Sequence, residues 1–389
     1  MINRPDYIAA IEPFIDKPLV KILAGIRRCG KSTIFEMLRE ELLRRGIGED
    51  QIICKRYTEM DIPENITAKQ MYDELTAAMA GKGHCYLLLD EIQEITGWEK
   101  AVNSLLESAD ADIYVTGSNS KLMSSEISTY LTGRYVSIPV YTLSFKEYLD
   151  FKADSTLSRR ELLEEYIRFG GFPIVALSEY DEQSAYQIVN GIYHTVVSRD
   201  IVKRHRINKQ DLFDRVVKYI IENMGKTFSA NSISTFLKSE HRKVSVESIY
   251  NYLRWLEQAL IIYPCERYDL QGKSILKTQE KYYLADVSLK YALLGYNRKM
   301  LDGAMENIVY LELKRRGYDV YIGKNDTKEI DFVATRRDER IYVQVCVRIP
   351  EASDREVGNL MEIRDHYPKY VVTLNEMDTG IEDGIRIVH

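Results

Sequence analysis

The clearest chemistry lies near the start of the chain. Gly25-Ile-Arg-Arg-Cys-Gly-Lys-Ser32, followed by Thr33, has the spacing G-x-x-x-x-G-K-[ST]. The apolar run Leu19–Ala24 before it reads as a buried parallel strand. After it, Ile34, Phe35, Leu38 and Leu42 recur at helical spacing until Gly46 stops the run. Strand, glycine loop, helix is the context in which this pattern binds phosphate. The glycines let backbone N–H groups curl around an anion, and the helix N-terminus adds its positive dipole end. Gly25, Cys29, Gly30, Lys31, Ser32 and Thr33 form the expected cradle. Lys31 is expected to reach the β- and γ-phosphates of ATP and the Ser32 hydroxyl to ligate Mg2+. A second Gly-Lys pair, Gly81-Lys82-Gly83, precedes a strand instead of following one and reads as a turn.

Two further stretches supply groups that such a loop needs. Cys85-Tyr-Leu-Leu-Leu-Asp90-Glu91 is an apolar strand ending in two acids. Asp90 is expected to hold magnesium through its water shell and Glu91 to polarise the attacking water. Asp112-Ile-Tyr-Val-Thr-Gly-Ser118-Asn119 is another strand with a small polar end. Asn119 or Ser118 either senses the γ-phosphate or caps the helical stretch that follows. Arg134, in Leu131-Thr-Gly-Arg134, either completes a neighbouring subunit's site as an arginine finger or pairs with a local carboxylate.

These residues need a scaffold, and the sequence predicts one. Candidate strands Leu19–Ala24, Ile52–Tyr57, Tyr86–Asp90, Ile113–Thr116 and Tyr135–Tyr141 alternate with helical stretches, the pattern of a doubly wound parallel α/β sheet. Ligands of such sheets bind beyond the carboxyl ends of the strands, where Gly25 lies. The 389 residues call for two to four domains. With 53 Lys and Arg against 59 Asp and Glu, the net charge of −6 argues against a protein that coats nucleic acid, though not against one basic face. Cys29, Cys54, Cys85, Cys265 and Cys346 form no C-x-x-C pair and read as small buried hydrophobes of a reducing compartment. The N-terminus has no charged lead before an apolar stretch, and no uncharged run approaches the ~20 residues of a membrane span. A cytoplasmic protein without a membrane partner is expected.

The loop Gly25–Ser32, the Leu-Leu-Leu-Asp-Glu-Ile-Gln stretch, Thr-Gly-Ser-Asn-Ser and Leu-Thr-Gly-Arg with Leu143-Ser-Phe-Lys-Glu-Tyr resemble AAA-type ATPases of bacteria and archaea. The C-terminal half of those ATPases is a domain of unknown function. The resemblance continues through Gly170-Gly-Phe-Pro173, Ser198-Arg-Asp-Ile201 and Lys281-Tyr-Tyr-Leu-Ala-Asp286. It implies ATP binding, with a homo-oligomer as an open expectation.

Four segments are expected: an ATPase domain over 1–145, a helical lid over 146–208, a winged helix over 209–285 and a small α/β nuclease-like domain over 286–389. The Gly170–Pro173 break allows either a moving lid or a rigid connector. Arg199–Arg206 is the densest basic cluster, fit for phosphate backbone or for a solvated helix face. Helices over Leu212–Asn223, Ser229–Leu237 and Ser245–Leu256, then strands Ala259–Tyr263 and Lys281–Leu284 around Gly272, make a winged helix. Its partner is DNA, through Ser245, Asn251, Arg254, Arg242 and Lys243, or another protein. Glu247 on the same face opposes phosphate. The final segment reads helix (Leu301–Arg316), three strands, helix (Ala352–His366), strand, and resembles the core of PD-(D/E)xK nucleases. That resemblance implies roles for Glu306, Asp331 and Gln344 and puts Cys346 where the lysine belongs. A thiol there leaves the site inactive unless Lys324 or Arg348 reaches in.

Overall fold

In the computed structural model the first alternation becomes a five-stranded parallel sheet. The structure describes all residues other than 1, 59–62, 64–65, 124–129, 132, 208, 240, 243, 271–274, 298–300, 326–327 and 350–354. Helix α1 (Pro5–Ile11) precedes β1 (Val20–Ala24), α2 (Lys31–Arg44), β2 (Ile52–Arg56), α3 (Ala68–Met79), β3 (Cys85–Asp90), α4 (Trp98–Ser108), β4 (Ala111–Gly117), β5 (Tyr135–Pro139) and α5 (Phe145–Phe151). The strand order is β2-β3-β4-β1-β5, with every pair parallel. β1 and β3 are buried along their whole length, as strands covered on both faces must be. Ile22, Leu87, Leu89, Ile113 and Val115 pack there with Met71, Leu75, Trp98 and Leu105.

Register brings the carboxyl ends of these strands level. Leu23 pairs with Thr116, Leu89 with Val115 and Arg56 with Asp90. The end of the acidic strand therefore stands beside the loop that follows β1, although β4 lies between them. Cys54 on the edge strand β2 is exposed, unlike the other four cysteines. This corrects the expectation of five buried thiols, since an edge strand turns alternate residues to solvent.

The chain divides into two compact units. The first holds Met1–Ala153, Phe172–Leu177 and Gln258–Leu260, and the second holds Asp154–Gly171, Ser178–Glu257 and Ile261–His389. α6 (Arg159–Phe169) belongs to the second unit and α7 (Pro173–Ala176) to the first. In the second unit follow α8 (Glu182–Val196), with a π-helical turn over Val197–Val202, then α9 (Gln210–Glu222), α10 (Ala230–Ser239) and α11 (Val246–Gln258). Next come β6 (Ile262–Asp269), β7 (Ile275–Leu284), α12 (Ser288–Leu294), α13 (Leu301–Arg315), β8 (Asp319–Asn325), β9 (Lys328–Arg336), β10 (Glu339–Cys346), α14 (Arg355–Met361), β11 (Lys369–Thr373), β12 (Gly380–Glu382) and β13 (Ile385–Val388).

Here the structure differs from the sequence reading in three ways. The hairpin β6–β7 is not a free-standing wing: β6 pairs in parallel with β8, so one eight-stranded sheet runs β12-β13-β11-β10-β9-β8-β6-β7. The helix expected from Ala352 to His366 is described only as Arg355–Met361. The terminal hairpin β12–β13 went unread because its strands are too short to show alternation. Gly272 and Lys243 lie outside the described residues. No helix among the described residues is long and apolar enough to cross a membrane.

One buried cation ties the N-terminal segment to the sheet. Arg4, 2% exposed, donates to the carbonyls of Cys29 (2.9 Å) and Tyr141 (3.0 Å) and holds Glu147 through Nε at 2.6 Å. Glu147 in turn accepts from the Ser144 N–H at 2.8 Å, closing the capping box that starts α5. Removing one partner of a buried pair leaves a charge without its counter-ion. Arg4→Met is therefore expected to lower unfolding free energy by about 3 kcal/mol, read as a fall in the urea midpoint, with Glu147→Gln rescuing part of the loss in the double variant.

Candidate functional site

The loop between β1 and α2 owes its path to close approach. A Cβ on Gly25 would stand 2.0 Å from the Val140 carbonyl oxygen, so no side chain fits where the loop leaves the sheet. Gly30 adopts φ +103°, a region that favours glycine, immediately before the first turn of α2. Pro173, just after the Gly170–Gly171 pair, lies 3.7 Å from where a Gly30 Cβ would be, so α7 begins against the loop. Cys29 is fully buried beside Gly25, and burial pushes its thiol up, so it is a packing group.

The structure brings the predicted groups together at the carboxyl edge of the sheet. Lys31 is buried and donates to the Gly25 carbonyl at 3.0 Å and the Ile26 carbonyl at 3.3 Å. Its Nζ is also 3.6 Å from Glu91 Oε1. Ser32 Oγ donates to Asp90 Oδ2 at 2.7 Å. These two hard oxygens suit Mg2+, which favours oxygen ligands. Asn119 is buried just beyond β4, and its carbonyl accepts from the Leu122 N–H at 3.1 Å as a short 3-10 turn begins.

Of the groups that hold the two acids, sequence reasoning singled out Lys31, Ser32 and Ser118 but gave no such role to Thr116, Arg56 and Gln93. Asp90 accepts from Ser32, from Thr116 Oγ1 and from Arg56 Nε at 3.0 Å. Glu91 sits at φ +54°, unusual for a residue with a side chain, and its N–H donates to Thr116 Oγ1 at 3.0 Å. Its Oε2 accepts from Ser118 Oγ at 3.2 Å and from Gln93 Nε2, and Gln93 also donates to Ser118 at 3.3 Å. Burial pushes the Glu91 carboxyl up, but Lys31, Gln93, Arg27 and Ser118 together hold it below its ordinary value. The Gln two residues after Glu91 was the available signal.

Arg134 stands elsewhere. It precedes β5 at the opposite edge of the sheet from the loop, and its carbonyl accepts from the Val20 N–H at 3.0 Å. Its guanidinium donates to Asn103 (2.9 Å) and Glu107 (2.6 Å) on α4.

In the second unit, Ser245 caps α11 by accepting from the Ser248 N–H at 3.1 Å, and Arg254 donates to Asn251 at 2.7 Å. Within the basic cluster, His205 stacks on Trp255 with ring centroids 4.3 Å apart. The nuclease-like residues gather around a group that the sequence reading had not placed there. Lys281 on β7 lies 2.9 Å from Glu329, 3.3 Å from Glu306 and 3.9 Å from Asp331. Asp331 accepts from the Val345 N–H at 2.8 Å, and its own N–H donates to Gln344 Oε1 at 3.2 Å. Cys346 is buried, with its thiol pushed up to about 11, first by burial.

A sequence profile described as an AAA domain matches residues 17–149, and one described as a domain of unknown function (DUF8612) matches residues 160–299. An uncharacterized protein of Haemophilus influenzae is 37% identical over 392 residues, covering 100% of this chain and 97% of the other. An uncharacterized protein of Methanocaldococcus jannaschii is 32% identical over 354 residues, covering 87% of this chain and 77% of the other. Among solved structures, a Walker-type ATPase of Pyrococcus abyssi superposes with a TM-score of 0.53 at 15% identity, covering 75% of this chain and 96% of that one. At that identity the likeness concerns the fold.

Burial, then the nearby Glu306, pushes the Asp331 carboxyl up to about 8 against the pull of Lys281. An unfolded Asp titrates near 3.9, so between about pH 4 and pH 8 the folded chain holds a proton that the unfolded chain has lost. Stability must fall as pH rises through that window. Urea midpoints at pH 5 and pH 8 are expected to drop more for the wild type than for Asp331→Asn.

Proposed function

Since the chain belongs to the family of AAA-domain proteins that its bacterial and archaeal relatives represent, we propose that it is a Mg2+-dependent ATP hydrolase whose nucleotide state repositions its C-terminal unit. One observation carries this reading: Lys31 and Ser32 at the start of α2 pair with Glu91 and Asp90 at the end of β3, each pair within 4 Å, beside the glycine loop.

In this reading the amides of the Gly25–Ser32 loop and the Lys31 ammonium bind the β- and γ-phosphates, with Thr33 at the start of α2 behind them. Ser32, and Asp90 through water, would hold magnesium, which would supply charge neutralisation at the phosphates. Lys31 exchanges its contact with Glu91 for phosphate as the nucleotide enters. Glu91, ionised near neutral pH, takes a proton from the attacking water, and Gln93 and Ser118 fix its carboxylate so that one oxygen stays aimed. In the same reading Asn119, buried beyond β4, senses the γ-phosphate. The bonds of Arg134 to Glu107 and Asn103 favour the local-pair reading over an arginine finger. Contact of Pro173 with the loop supports a route from nucleotide state to the chain beyond Gly171.

Lys31→Ala is expected to abolish ATP binding measured by calorimetry. Glu91→Gln is expected to keep binding within a few-fold and lower kcat by about 10²- to 10⁴-fold, the usual contribution of a general base. Wild-type turnover by Glu91→Gln would refute the assignment. Turnover with and without double-stranded DNA separates two uses of the same site. Stimulation supports action on DNA, and indifference supports a slow switch that grips a protein.

A further inference from the structure

The Lys281-Tyr-Tyr-Leu-Ala-Asp286 stretch has no role in the nucleotide site proposed above, and it delivers a cation to a cluster of three acids in the second unit. Lys281 is 5% exposed at its side chain, and three carboxyl groups from two elements face its nitrogen: Glu306 of α13 with Glu329 and Asp331 of β9. Each acid has a second anchor. Tyr283 OH donates to Glu306 at 3.1 Å, Arg267 holds Glu329 at 2.9 Å, and the Val345 N–H donates to Asp331 at 2.8 Å. Convergent carboxylates on a helix and a sheet are the arrangement by which a fold holds a divalent ion. Buried acids without a cation stay ionised only at high cost, and otherwise hold a proton. Here the cation is part of the chain.

We propose that the Lys281 ammonium is a tethered counter-cation occupying the position a divalent metal would take among Glu306, Glu329 and Asp331, so that the second unit is closed to metal-dependent hydrolysis. An ammonium has three N–H donors, and three acids surround it. It sits at ion-pair distances, whereas Mg2+ would draw oxygens to about 2.0–2.1 Å. A metal and this lysine therefore exclude each other. With Cys346 in place of the usual lysine, Lys281 closes the site instead of completing it.

The test is Mn2+ uptake by the nucleotide-free full chain, followed by electron paramagnetic resonance of the free ion. Wild type and Asp331→Asn are expected to take up the same amount of Mn2+. Lys281→Met is expected to bind one additional equivalent, lost again in Lys281→Met/Asp331→Asn. A Mn2+ equivalent present in the wild type and lost in Asp331→Asn overturns the proposal, as does Mg2+-dependent DNA cleavage that Asp331→Asn abolishes. A Lys281→Met chain with wild-type circular dichroism and no added Mn2+ also overturns it. Should Lys281→Met fail to fold, the comparison of wild type with Asp331→Asn decides alone.

Discussion

A buried carboxylate tolerates burial only when donors surround it, and the first unit is arranged around satisfying Asp90. That carboxylate, 4% exposed, takes the Ser32 hydroxyl from the start of α2, Thr116 from β4 and Arg56 from β2. Three elements distant in sequence thereby meet at one edge. The parallel register makes this possible, because Thr116 lies opposite Leu23 on one side and one step beyond the Leu89–Val115 pair on the other. A one-residue slip of β4 would turn Thr116 to the other face and leave Asp90 short of a donor.

The same logic of satisfied charge extends to the N-terminal segment. Arg4 reads the carbonyl of Cys29 inside the loop and the carbonyl of Tyr141 beyond β5, so loop shape and the entry to α5 share one guanidinium. Its planar fork serves several acceptors at once, which a lysine would not. A second buried pair, Lys21 with Asp112, braces the opposite end of β1, where Tyr114 OH also donates to Asp112 at 2.6 Å. The sheet is thus pinned by polar contacts at both ends and by apolar packing between them.

The two units use lysine in opposite ways. Lys31 faces one acid and two carbonyls beside a glycine loop, partners that in the proposed function give way to phosphate. Lys281 faces three acids, each already held by another donor, and has nothing to exchange for. Surroundings, more than residue type, set what a buried lysine can do.

How much of this was legible beforehand follows from range along the chain. The phosphate loop, the acidic end of β3 and the alternation of strand and helix are local patterns: a strand needs four to eight apolar residues and a glycine loop needs eight in a row, so Gly25, Lys31, Ser32, Asp90 and Glu91 could be named from sequence. Arg4 and Arg56 looked like ordinary polar residues, and Gln93 and Thr116 stood out only as parts of family-like stretches, because their meaning lies in what stands opposite them across a sheet or a turn. Lys281 and the joining of β6 to β8 depended on contacts between residues about 25 to 60 positions apart. Composition and spacing thus determined the glycine loop, the acidic strand end and the alternation of elements. Tertiary structure alone decided which charges are paired, because pairing is a matter of distance in space and leaves no periodic trace in the sequence.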